Sequence, residues 1–156
     1  MRTKNRIISG VILCAVALAI SVVAPRAASR APQGTEEPVP AFHTAPPQGQ
    51  LPETLSPSEF IDVVVQNAYI LAARVKKVLY QQPCYCHCDR SQGHTSLLDC
   101  FASKHGAGCG VCMREAIYSY EQSHKGKTAA QIRTGIERGE WREVDMSKYS
   151  LPVAAK

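Results

Sequence analysis

Six of the seven cysteines in this chain fall between positions 84 and 112, and three of them alternate in "PCYCHC", residues 83–88. Any fold this sequence adopts must place Cys84, Cys86, Cys88, Cys100, Cys109 and Cys112 around one small region. Two chemistries compete for them. In an extended chain, residues two apart have Cα atoms roughly 6.7 Å apart, at the limit for a disulfide. Each member of C-x-C-x-C would then need a distant partner, and Cys100, Cys109 and Cys112 supply three. Three bridges tying 84–88 to 100–112 are one arrangement among many connectivities. Thiolates bound to one zinc ion at ~2.3 Å lie roughly 3.7 Å apart. C-x-C must therefore bend toward one ion or bridge two, and bridging thiolates suit copper(I), a soft ion.

"GCGVCMREA" places Cys109 and Cys112 at a helix start, where the dipole and free N–H groups favour thiolate. Gly106, Gly108 and Gly110 allow the backbone to wrap closely there. Covalent haem attachment needs histidine after the second cysteine of C-x-x-C, and here Met113 follows. A thioredoxin-like motif expects a βαβ setting, which is absent, although an exposed redox pair stays open as a further reading. Among the histidines, His94 lies between the two cysteine groups and is the first candidate ligand, with helix cap or surface residue as its plain alternative. His87 and His105 are weaker candidates, and His105 near a helix end also suits the dipole alone. Met113 reads as core, as do Trp141 and Tyr149, and His124 reads as surface. No Ser/His/Asp grouping, phosphate loop or acid–base carboxylate pair gives a catalytic function any footing.

The formal net charge of +5 does not indicate nucleic acid. Arg2, Lys4, Arg6, Arg26 and Arg30 stand in the first thirty residues without an acid, and the remaining chain is neutral with no basic run. The first three precede an apolar stretch over 7–24, the pattern of a signal peptide or membrane anchor. Both remain open for residues 1–30. Either places the chain from about 31 onward outside the cytoplasm, in the periplasm or at the cell surface, tethered to the membrane if the segment is uncleaved. Residues 31–56 hold six prolines and no hydrophobic period, and read as a disordered Pro-rich linker.

The domain is expected over 57–150 and all-α. Ser56 as N-cap, Pro57 at N1 and Glu59 closing a capping box start a helix over 57–81. Phe60, Val64, Ala68, Leu71, Val75 and Val78 follow helical spacing, Ile61, Val65 and Ala72 widen the stripe, and Pro83 stops it. A short helix follows over 96–105, with Leu97, Leu98 and Phe101 inward and Gly106 at its end. A third spans 110–124, and Thr128 caps a fourth carrying Ile132 and Ile136. No strand alternation appears. About four helices around so small a core fit a domain supplemented by a staple or a metal.

"PCYCHCDRSQGHTSLLDCF" followed by "CGVCMREA" resembles the bacterial exported proteins and lipoproteins grouped by a PCYCGC motif. The resemblance covers about 60–140 and runs on through "GKTAAQIRTGIERG". It implies an exported cysteine-rich domain without a settled activity. His87 stands where the named motif has glycine, which adds a candidate ligand and questions a turn needing φ > 0. Leu13 before Cys14 is a poor lipidation site. Small helical [2Fe–2S] ferredoxins are a weaker likeness. The reading that results is an extracytoplasmic metal-binding protein holding copper(I) or zinc through Cys84, Cys86, Cys88, Cys109 and Cys112, then Cys100 and His94. Sequestration, delivery or sensing would be its role, with a metal ion and an envelope protein as partners. The alternatives are a disulfide-stapled interaction module without metal, and a thiol–disulfide oxidoreductase.

Overall fold

Asp62, not Ser56, starts the first long helix. A computed structural model describes residues 38–154; the expectations for the signal or anchor, and for the linker before Pro38, lie outside the described residues. Asp62 Oδ1 accepts the N–H groups of Val64 at 2.7 Å and Val65 at 3.3 Å, and α1 runs Val63–Arg74. Pro57–Glu59 form only a 3-10 turn, and Ser56 Oγ pairs with Ser58 Oγ instead of capping. Phe60 is extended and its ring packs tilted against Tyr69, centroids 4.3 Å apart, so the chain cannot run helically through it. Ile61, expected in the buried stripe, is 98% exposed at this corner. The expected 57–81 helix breaks a second time at Val75 (φ −124°, ψ 30°) before the short α2, Lys76–Leu79.

α3, Cys88–Gln92, is a single turn inside the cysteine loop. The expected 96–105 helix is instead two 3-10 turns, Leu97–Cys100 and Lys104–Gly108. Tyr69 accounts for the second: its hydroxyl donates to Ser103 O at 2.6 Å and accepts the Ala107 N–H at 3.1 Å. Gly106 is required beneath it, because a Cβ there would meet Cys100 O at 2.9 Å. Gly108 and Gly110 have open space and carry no such constraint.

α4, Gly110–His124, and α5, Ala129–Glu137, match expectation. Thr128 caps α5 through a capping box with Gln131. α1 packs along α4, with Ala68, Ala72 and Ala116 fully buried. Leu97, Leu98, Phe101, Ile132 and Ile136 complete the core, with Trp141 nearly buried. The domain is all-α, with no strand among the described residues. Buried Asn67 clamps the C-terminal segment, donating to Tyr149 O and Leu151 O and accepting from Val153 N. No helix among the described residues is long and apolar enough to cross a membrane.

From Pro38 to Leu55 the chain has no helix or strand, yet it is held at specific points. Pro40 is buried, Ala41 N–H donates to Asp89 Oδ2 at 3.2 Å, and the His43 ring stacks on Tyr80 at 3.9 Å. Phe42 lies under the Arg133 guanidinium, and Leu55 N–H donates to Phe101 O at 2.9 Å.

Candidate metal centre

The PCYCHC loop is turned rather than extended. His87 N–H donates to Cys84 O at 3.0 Å, and His87 itself sits at φ 56°, ψ 37°, the left-handed region. That reversal folds alternate residues toward one another: Cys84 and Cys86 sulfurs are 3.4 Å apart. The loop is anchored from α4, where the buried Glu115 accepts the Tyr85 N–H at 2.9 Å. Cys112, one turn before Glu115 on α4, meets Cys84 at 3.3 Å and Cys86 at 3.5 Å. From the other side Cys88, the first residue of α3, meets Cys100 at 3.3 Å. His94 Nδ1 lies 3.3 Å from Cys100 Sγ, and His105 Nε2 lies 3.7 Å from Cys86 Sγ.

All these cysteines are unbridged; their sulfurs stand well beyond the ~2.05 Å of a disulfide. Four groups of three donors have all ligand atoms within 4.8 Å of one another: Cys84–Cys86–Cys112, Cys84–Cys88–Cys100, Cys86–Cys88–His105 and Cys100–His105–Cys112. Five sulfurs and one imidazole thus share four close groups of donors, and the arrangement can hold a metal ion.

The expected ligands fall into two sets. Cys84, Cys86, Cys88, Cys100 and Cys112 come together; Cys100, ranked behind the others by sequence, is fully buried among them. Cys109 is in none of the groups. It is the N-cap of α4 with extended backbone (φ −126°, ψ 107°), so C-x-x-C does not put its two thiols on one helical face. His94 touches only Cys100 among the sulfurs and joins no group, whereas His105, a weaker candidate by sequence, belongs to two. Its placement follows from the Tyr69–Gly106 contact, which no local spacing reveals. Glu115 was overlooked, though its signal was legible: an acid three residues after Cys112 shares that cysteine's helix face.

The sulfurs cannot all ionise together. Hydrogen bonds from Cys112 and then Cys84 hold Cys86, the half-exposed member, far below the usual thiol range. Cys112 is pushed up, first by its interaction with Cys100. Burial lowers His94, with His105 adding to the effect, so its ring is neutral near pH 7 and available as a donor. Burial pushes the Glu115 carboxyl up to about 8. Pro40 and Ala41 line a recess with Cys84, Cys88 and His94, so the proline-rich segment covers one side of the cluster.

Fold and site together define a small all-α domain with a cluster of unbridged cysteines and one histidine that could hold a metal ion. The chain belongs to the family described as "Protein of unknown function with PCYCGC motif", whose family model matches residues 43–144. No curated protein and no solved structure matches it. The family's motif has glycine where this chain has His87, and the left-handed backbone at that position is what glycine adopts without cost.

Proposed function

We propose that this protein binds a thiophilic metal ion, copper(I) or zinc, outside the cytoplasm, for sequestration, delivery or sensing. The observation that carries the reading is the convergence of five cysteine sulfurs and His105 into groups of three donors within 4.8 Å. Soft thiolate and neutral imidazole donors suit copper(I) and zinc. The basic and apolar N-terminus supports export, with residues 1–30 as signal peptide or membrane anchor.

A second reading has its own support. Cys88–Cys100 and Cys84–Cys112, each at 3.3 Å, are placed to oxidise to two disulfides outside the cytoplasm. Cys86 and Cys109 would remain unpaired, and the domain would be a stapled interaction module. The deciding measurement is the native intact mass of the protein after export into an oxidising compartment supplied with copper and zinc. Added metal mass, with six alkylatable domain thiols after chelation, is the expected result. A mass lowered by about 2 Da per bridge and no metal would sink the proposal.

A further inference from the structure

Resting on the metal-binding reading, we propose that the site is a cage for several copper(I) ions sharing thiolates, rather than a seat for one ion. The pattern of the four three-donor groups carries this. Each of Cys84, Cys86, Cys88, Cys100, Cys112 and His105 belongs to two of the four groups, and any two groups have one donor in common. No group joins Cys84 with His105, Cys86 with Cys100, or Cys88 with Cys112. Those three pairs are opposite corners of an octahedron of donors, and the four groups are alternate faces of it. An ion on each face gives four ions at the corners of a tetrahedron, with a shared donor along each edge.

A structural zinc site takes four protein donors mutually about 3.7 Å apart, and none of the groups has four members. A three-coordinate ion with bonds of about 2.3 Å needs sulfurs about 4 Å apart. The closest contacts here, 3.3–3.5 Å, and the 4.8 Å limit bracket that spacing. Copper(I) takes two or three soft donors and shares thiolates between ions. His105 presents one nitrogen to one ion, leaving the remaining ion two-coordinate on its two sulfurs. Charge favours the same outcome. Among the described residues the sulfurs' hydrogen-bond partners are other sulfurs, His94 and His105, none of them a fixed cation. Five thiolates with four copper(I) ions leave one net negative charge, so nearly all the charge gathered in this largely buried place, where unpaired charge is costly, is offset. Each thiol gives up its proton to solvent as its sulfur binds; no electron is transferred, because the copper arrives as copper(I).

The test is anaerobic titration of the full reduced chain with copper(I) held by a weak chelator, read by native mass spectrometry and X-ray absorption. Expected are cooperative passage to a four-copper form, trigonal copper–sulfur scattering and a copper–copper distance. Saturation at one copper, or a single zinc bound in preference, would overturn the cage while leaving the metal-binding proposal intact. No uptake of either metal would overturn both. Cys86→Ser takes one sulfur from each of two faces, so two ions should each lose a sulfur and the copper–sulfur scattering should shift from trigonal toward two-coordinate; unchanged scattering would contradict the sharing. Cys109→Ser should leave capacity at four, and any loss would contradict the assignment. Helicity of the copper-free variants controls for folding, and the wild-type stoichiometry and copper–copper scattering decide the matter without them.

Discussion

Replacing Glu115 by Gln should flatten the pH dependence of stability in the metal-free, reduced protein. Glu115 is fully buried on α4; Oε1 accepts the Tyr85 N–H and Oε2 has no partner. Burial raises its carboxyl from 4.5 to about 8, against the opposing pull of the Tyr85 N–H. Between those values the native protein keeps a proton that the unfolded chain has released. Native protein then binds more protons than unfolded, so stability falls as pH rises. The contribution is complete below the unfolded value and is lost through about 8. At 1.36 kcal/mol per unit, the loss between pH 5 and 7 is about 2.5 kcal/mol, and about 5 kcal/mol across the whole window is its upper figure. Gln keeps an acceptor for Tyr85, adds a donor where Oε2 stands, and does not titrate. Urea unfolding at pH 5, 6 and 7, with reductant and chelator present, reads the effect. Cys84, Cys86 and Arg142, the side chains that act on Glu115, are present in both proteins. Parallel stability curves for wild type and Glu115→Gln would refute the reasoning.

Gly135→Ala, inside α5, gains about 1 kcal/mol of helix propensity. It also puts a Cβ 1.9 Å from Tyr118 Oη, displacing the Tyr118–Glu140 hydrogen bond of 2.5 Å. A bond to a charged group contributes about 1.5–3 kcal/mol, so thermal unfolding should show net destabilisation of about 0.5–2 kcal/mol; a gain would contradict it. Asp62→Ala should cost about 1 kcal/mol by urea unfolding, while Ser56→Ala stays within about 0.5 kcal/mol; the reverse order would restore Ser56 as the cap. His87→Gly relieves a left-handed conformation costing about 1–2 kcal/mol and loses the edge-on contact with Tyr85. Stability should rise by less than about 1 kcal/mol with copper capacity unchanged, and a fall in capacity would make His87 a ligand.

What could be read from the sequence divides along the reach of the interactions. α4 was legible to the residue and α5 from its start because their signals are local: Thr128 and Gln131 cap α5 within one turn, and apolar spacing marks the rest. The 57–81 helix was misread because Ser56-Pro57 and Asp62 both offer starts, and the choice is made by Phe60 packing on Tyr69, nine residues away. The two 3-10 turns over 97–108 have the same origin, since Tyr69 takes the backbone groups of Ser103 and Ala107 that a continuous helix would use internally. For the site, the clustering of cysteines announced one centre, and five of the six domain cysteines enter its donor groups. Membership turned on geometry that spacing does not encode. Cys109 lost its place because a cap residue leaves the helical register, and His105 gained one because Gly106 lets its turn pass beneath Tyr69. A strongly patterned stretch therefore specifies which elements form. The long-range contacts of Tyr69, Glu115 and the segment at Pro40–His43 decide which donors those elements deliver.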